Sequence, residues 1–505
     1  MLVPDKIYLG QSTRPEYLAL KFGNRHGLIT GATGTGKTVS LQVLAEGFSA
    51  VGVPVFCADI KGDLSGLAAM GEMKAWQVKR AEEIGFADYA AGKSPAIFWD
   101  LFGRQGHPVR TTITEMGPLL LARILDLNDV QEGVLNIAFK YADDEGLVLI
   151  DLKDLRALLV EVSENAEHIS TRYGNVASQS VGAVQRALLV LEQQGGEAFF
   201  GEKALEISDL MRTTTDGRGV VSILAADELM QSPRLYATFL LWLLSELFED
   251  LPEVGDADKP RLVFFFDEAH LLFADAPKAL TDKVEQVVKL VRSKGVGVYF
   301  ITQNPIDIPE AVLAQLSNRV QHALRAYTPR EQRAVKVAAE TFRPNPDFST
   351  EEVITQLGIG EALVSVLEEK GIPSMVGRTL IRPPAGRVGP LTPEERQQLI
   401  VASPVSGQYD TPIDRESAYE VLGRRVATRD AAAAEARART EQEKDDIRRE
   451  REQVARERAE RAAAPRRSTR AGPIEAALTS LARSAANQIG RALVRGILGS
   501  LTRGR

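Results

Sequence analysis

Gly31-Ala32-Thr33-Gly34-Thr35-Gly36-Lys37-Thr38 decides how this chain folds. An apolar strand candidate, His26–Thr30, runs into it, and a helix-forming run, Lys37–Val51, leaves it. The pattern G-x-x-x-x-G-K-[ST] between a strand and a helix is a phosphate loop. Its glycines let backbone N–H groups close around an anionic phosphate chain and allow the positive φ angles that the bend needs. Lys37 is placed to reach the β- and γ-phosphates, and Thr38 to offer its hydroxyl to Mg2+. The helix start adds its positive dipole end. Gly31, Ala32, Thr33, Gly34, Thr35, Gly36, Lys37 and Thr38 are therefore all candidates for holding ATP.

A nucleotide site needs a second half on another buried strand, and Leu262-Val263-Phe264-Phe265-Phe266-Asp267-Glu268 supplies it. Five apolar residues in succession suit a parallel strand covered on both faces. Two carboxylates at its end are costly to bury and call for a task. Asp267 fits a Mg2+ support and Glu268 the group that polarises the attacking water. Asp-Glu-Ala-His at 267–270 also spells a helicase-type box, but no accompanying helicase motif series is present. A third strand, Val296–Gln303, ends in a polar Gln303, where open α/β sheets bind ligands. Gln303 is the candidate sensor of the γ-phosphate, and a loop-capping amide is its plainer alternative. Asp59, Lys61 and Asp63, after the strand Val53–Ile60, fall at the same sheet end. They are open to two readings: arranging metal, water or a neighbouring subunit, or simple surface charge.

The chain has 505 residues, 44% of them apolar, enough for two or three domains and a large core. Its single cysteine, Cys57, lies in an apolar run and reads as a core residue. With no disulfide possible within the chain, no charged-then-apolar leader and no run of eighteen apolar residues, a cytoplasmic protein without an integral membrane segment is expected.

Along the chain, residues 1–106 read as the first part of an ATPase core, with a further strand at Ala96–Leu101. Apolar residues then recur at helical spacing, as in Leu152, Leu155, Leu158 and Leu159, and predict an all-helical insertion over 107–215. Within it the small, polar stretch Asn175–Arg186 fits either a partner-facing surface or an ordinary helix start. The core resumes over 216–385, with a helix at Leu235–Phe248, a helix at Asp282–Ser293, a helix near Pro309–Leu316 and a strand at Arg319–Arg325. A helix begins at Thr328-Pro329, and a hairpin pairs Ala362–Leu367 with Met375–Ile381. Residues 386–423 form a linker with short helices. Residues 424–465 are almost wholly Arg, Glu, Ala, Asp and Gln: a solvated helix, lone or in a coiled coil without an apolar seam. Residues 466–505 carry eight Arg against one acid, with apolar residues near one helical face. Such a basic amphipathic helix suits nucleic acid, a membrane surface or a neighbouring subunit.

Charge is divided unevenly. Residues 424–505 hold twenty Lys and Arg against eleven acids, a net +9, so the remainder of this net −7 chain carries −16. An acidic body is not a surface coated for DNA, whereas the basic tail supplies the attraction that phosphates demand.

The order of these motifs resembles the HerA/FtsK group of P-loop ATPases: the phosphate loop, Asp59-Ile60-Lys61-Gly62-Asp63, Phe264-Phe265-Phe266-Asp267-Glu268-Ala269-His270, then Ile301-Thr302-Gln303-Asn304-Pro305. More closely, Val291-Arg292-Ser293-Lys294-Gly295 and Ser317-Asn318-Arg319-Val320-Gln321-His322-Ala323-Leu324-Arg325 are similar to the bacterial HerA-like, YjgR-type ATP-binding proteins. The C-terminal stretch from Ala486 through Leu501 resembles that family's end. The resemblance implies an α/β, RecA-like P-loop NTPase sheet flanked by helices, with the helical insertion and helical C-terminal tail as additions. By analogy it implies a homo-oligomeric ring, a hexamer, with ATP between subunits and an arginine from the neighbour at the transition state. Arg319 is the leading candidate, with Arg292 and Arg325 beside it. HerA translocases carry an N-terminal β-barrel that docks a nuclease; a phosphate loop at residue 31 leaves no room for one, which puts a nuclease partner in doubt.

The expected activity is Mg2+-dependent ATP hydrolysis with Lys37, Glu268, Gln303 and Arg319 as catalytic groups and Thr38 and Asp267 at the metal. The expected work is movement on double-stranded DNA. Remodelling of protein or of assemblies at a membrane, and a slow nucleotide switch, are the alternatives.

Overall fold

Every strand expected near the phosphate loop forms, and the sequence order of the strands is not their spatial order. The computed structural model describes residues 5–255, 257–273 and 278–463. Its strands are β1 (Lys6–Gln11), β2 (Pro15–Ala19), β3 (Gly27–Thr30), β4 (Val55–Asp59), β5 (Ala96–Asp100), β6 (His107–Pro108), β7 (Val221–Ala225), β8 (Leu262–Phe266), β9 (Val296–Thr302), β10 (Asn318–Gln321), β11 (Glu361–Ser365) and β12 (Gly377–Ile381). They join in one sheet, ordered β2-β1-β12-β11-β10-β3-β9-β8-β4-β7-β5-β6. From β10 to β6 all neighbours are parallel. From β10 to β2 all are antiparallel.

The central parallel strands β3, β9, β8, β4 and β7 are buried along their whole length, as their largely apolar sequences require. Alternation along β8 divides the core: Phe264 and Phe266 join one cluster, Val263 and Phe265 the other. On the second face, β8 packs with Leu41, Leu44 and Phe48 of the helix Lys37–Ala50 that leaves the phosphate loop. On the first face lie Phe239, Leu240 and Trp242 of the helix Pro233–Asp250. Cys57 of β4 is fully buried.

Between β6 and β7 the chain is helical, with longer helices at Ile113–Ile124, Asp129–Glu145, Leu152–Glu164, Ala166–Tyr173 and Ser178–Gln193. The side chains of Asn128 and Asp151 accept N–H groups at two of the helix starts, satisfying donors that the first turn leaves free. Leu155, Leu158, Leu159 and Val162 are buried in the same cluster as Phe264 and Phe266, so the insertion shares the sheet's core. The region is mainly helical, but His107–Pro108 pairs with Trp99 and Asp100 as one more parallel strand, and isolated bridges join Thr111 to Phe200 and Glu202 to Ile413. The stretch Asn175–Arg186 contains the start of the helix Ser178–Gln193.

Several boundaries differ from the sequence reading for local reasons. His26 has φ 55, so β3 begins only at Gly27. The Arg319 guanidinium donates to the carbonyls of Leu313 and Leu316, and the helix expected near Pro309–Leu316 is confined to Glu310–Leu313. The chain leaves β10 after Gln321, and Ala323 turns its carbonyl to the Ala32 N–H instead of continuing the strand to Arg325.

A helix spans Ala418–Ala463, with every residue from 427 onward exposed. The chain divides into two compact units, Met1–Arg425 and Val426–Arg505. The basic amphipathic helix expected over 466–505 lies outside the described residues.

Candidate active site

The phosphate loop turns between β3 and the helix Lys37–Ala50 through three glycines with positive φ: Gly31 at 152°, Gly34 at 79° and Gly36 at 116°. Gly36 is also closely approached: a Cβ there would lie 3.2 Å from Gly360 N and 3.3 Å from the His322 ring, tighter than ordinary contact. Lys37 is buried, its Nζ donating to the loop's own carbonyls at Gly31 (2.7 Å) and Ala32 (3.2 Å). Burial lowers its pKa.

β9 lies between β3 and β8, which brings Gln303 between the phosphate loop and the acidic pair. Gln303 Nε2 is 3.5 and 3.4 Å from the two carboxylate oxygens of Glu268, and its Oε1 is 3.5 Å from the Thr33 hydroxyl. These are long for hydrogen bonds but place loop, amide and carboxylate in one line. Asp267 and Glu268 are both 5% exposed. Glu268 has φ 45 and ψ 45, a left-handed conformation that non-glycine residues rarely adopt and that concentrates at functional sites. Its N–H donates to Asp267 Oδ1 at 2.9 Å. Burial pushes the Asp267 carboxyl up to about 6, and the Glu268 charge adds to that. Glu268 moves the other way: burial raises it, but hydrogen bonds from Lys61 and Gln303 and the Lys61 charge together hold it below its ordinary value.

β4 flanks β8 on its other side, and the segment after it belongs to the site. Asp59 is 1% exposed, so surface charge does not describe it. Its oxygens accept the N–H groups of Gly62 (2.9 Å) and Leu64 (3.1 Å) and fix the turn. Burial, with the charges of Asp63 and Asp267, pushes its carboxyl up to about 7. Lys61 Nζ lies 2.5 Å from Glu268 Oε1. Asp63 Oδ2 is 3.4 Å from the Thr38 hydroxyl, while its Oδ1 is buried with no hydrogen-bond partner.

The sequence reading missed His322. Its ring lies under the loop, fully buried, with Nδ1 2.8 Å from the Glu361 carbonyl and Nε2 2.8 Å from the Ser40 hydroxyl. A carbonyl only accepts, so Nδ1 carries the proton and Nε2 accepts from Ser40. Burial pushes its pKa down to about 4 and keeps the ring neutral, with the Lys37 charge acting in the same direction. A polar residue at the end of a strand parallel to the phosphate-loop strand was the available signal.

The three arginines are not brought to this constellation. Arg292 and Arg325 are exposed. Arg319 is held to its own chain's carbonyls, and burial pushes its guanidinium down to about 10.

Residues 5–505 match the helicase HerA-like C-terminal family. The chain belongs to that family. A probable helicase of Methanocaldococcus jannaschii is 28% identical over 125 residues, which is 24% of this chain and 22% of that protein; the chain thus matches about a fifth of that relative's length. Among solved structures, the plasmid coupling protein TrwB in complex with ADP and Mg2+ is 14% identical, covering 74% of this chain and 89% of its own, with a TM-score of 0.47. VirB4 of Thermoanaerobacter pseudethanolicus is 15% identical, covering 75% and 97%, also at 0.47. The HerA-like proteins are P-loop ATPases, and the sheet here is an α/β sheet flanked by helices, with its phosphate loop after β3. No helix among the described residues is long and apolar enough to cross a membrane.

Proposed function

We propose that this chain is a Mg2+-dependent ATP hydrolase working as a ring of subunits, a hexamer by analogy with the HerA/FtsK group, that couples hydrolysis to movement along double-stranded DNA. The observation that carries the hydrolase is that Glu268 and Gln303, just past the ends of the adjacent parallel strands β8 and β9, lie together beside a phosphate loop ending in Lys37 and Thr38.

In this reading the loop N–H groups and Lys37 hold the phosphates, and Lys37 exchanges its loop carbonyls for phosphate oxygens. Thr38 and Asp267 would hold Mg2+: a hydroxyl and a carboxylate are the hard oxygen donors it takes, and the unpartnered Asp63 Oδ1 beside Thr38 adds another acceptor. When bound, the ion neutralises charge on the phosphates. Glu268 accepts a proton from the attacking water, and Gln303 orients that water and reports the γ-phosphate to Thr33. A neighbour's arginine completes the charge balance. Arg292 and Arg325 are better placed for this than Arg319, which would first have to release Leu313 and Leu316.

The DNA reading is supported by family membership and by the net +9 of residues 424–505. Steady-state ATP hydrolysis with and without long double-stranded DNA, at low and moderate salt, tests it. Glu268→Gln and Lys37→Ala should abolish turnover; full activity in either removes the site assignment. Several-fold stimulation by DNA that weakens as salt rises is the result expected of a DNA motor. Clear basal turnover with no DNA response would move the function to protein or membrane-associated remodelling, and tight binding without turnover to a nucleotide switch.

A further inference from the structure

We infer that Lys61 is a positioning residue of the hydrolytic site, anchoring one oxygen of the Glu268 carboxylate so that the other stays available to the attacking water. The inference rests on the reading of Glu268 as the water-activating group.

Lys61 follows β4, the strand next to β8, and its ammonium donates to Glu268 Oε1 at 2.5 Å. The other oxygen, Oε2, has only looser neighbours: Gln303 Nε2 at 3.4 Å and His270 Nδ1 at 3.4 Å. Lys61 thus ties down Oε1 at short range, while Gln303 Nε2 stands about equally far from both oxygens, at 3.5 and 3.4 Å, and leaves Oε2 without a short hydrogen bond. The turn that delivers Lys61 is itself fixed, because buried Asp59 accepts the Gly62 and Leu64 N–H groups and Gly62 reverses the chain at φ 76.

This is not an ordinary surface ion pair. The Lys61 side chain is 45% exposed, but that of Glu268 is 7% exposed and follows directly on buried Asp267. A buried carboxylate next to a second one needs a cation. Lys37, the other nearby ammonium, faces the phosphate loop. Glu268 also sits in a left-handed backbone conformation, so its side-chain direction depends on what holds it. A compact ammonium that donates to a single oxygen leaves the second lone-pair site open, as a bidentate guanidinium would not.

The test compares the full chain with Lys61→Met, Lys61→Arg, Glu268→Gln and Lys61→Met/Glu268→Gln by steady-state hydrolysis and by binding of a fluorescent ATP analogue. Lys61→Met should lower kcat about 10- to 100-fold, part of what a positioned base contributes. KM and analogue affinity should stay within about twofold, and Lys61→Arg, whose fork can take both Glu268 oxygens, should stay well below the parent's rate. Because Lys61 acts through Glu268, the double variant should be no slower than Glu268→Gln alone. A Lys61→Met kcat close to the parent's, or losses that multiply in the double variant, would overturn the inference and leave the Glu268 reading intact. Turnover by Glu268→Gln equal to the parent's would overturn that reading and this role with it.

Discussion

At the scale of single residues, what the site shows depends on how far each side chain's meaning is local. Lys37, Thr38, Asp267, Glu268 and Gln303 were legible because each sits at the end of a buried strand or in a loop whose spacing defines it. Lys61 stays open between a role in the site and surface charge, and His322 is missed, because their partners are set by strand order. Lys61 meets Glu268 only because β4 lies beside β8, and His322 meets Ser40 only because β10 lies beside β3. His322 offers a direct check on how the loop is held. Replacing it by Ala takes the ring's hydrogen bonds from the buried Ser40 hydroxyl and from the part-buried Glu361 carbonyl, a cost of about 1–3 kcal/mol. It also removes the ring beneath Gly36, the last residue before Lys37. His322→Ala should therefore melt at lower temperature and bind ATP several-fold more weakly, with kcat at saturating ATP changed less than KM. A folded variant with an unaltered KM would show that the ring does not shape the loop.

Among elements, the parallel strands were the most legible and the short helices the least. Runs such as Leu262–Phe266 are buried on both sides, so composition alone locates them. The helix Glu310–Leu313 was overestimated because its end is set by a guanidinium arriving from β10, a contact that no local pattern contains. The helix Pro233–Asp250 illustrates a conflict visible only once folded. Its last turns carry Glu246, Glu249 and Asp250, negative charge at the negative end of the helix dipole. Burial pushes the Glu246 carboxyl up to about 7, and the charges of Asp250, Glu115 and Glu249 add to it. The folded chain then binds this proton more tightly than the unfolded chain, whose carboxyl titrates near 4.5. The stability it gives is fully present below pH 4.5 and is lost as pH rises through about 7. Glu246→Gln does not titrate, so its melting temperature should gain on the parent's between pH 5 and pH 8. An identical difference at both pH values would contradict the assignment.

For the whole molecule, charge is divided between the unit that carries the candidate site and the stretch that follows it. The unit Met1–Arg425 contains the phosphate loop, Asp267, Glu268 and Gln303. Residues 426–505 hold eighteen Lys and Arg against eleven acids, a net +7, which leaves −14 on the first unit. From residue 427 to 463 no side chain is buried. The last buried contacts of the helix Ala418–Ala463 come earlier, at Ala418 and Leu422, which join the core that also contains Tyr409. A chain ending at Arg425 keeps these, and it should melt within a few degrees of the full chain and hydrolyse ATP at a comparable basal rate. Its response to DNA should differ. Each lysine or arginine removed from phosphate contact lowers the salt dependence of binding by about one unit in the log–log slope. If the basic tail supplies the attraction, the shortened chain should need more DNA for half-maximal stimulation and show a shallower salt dependence. Equal stimulation and an equal slope would instead place the DNA contact on the acidic unit itself.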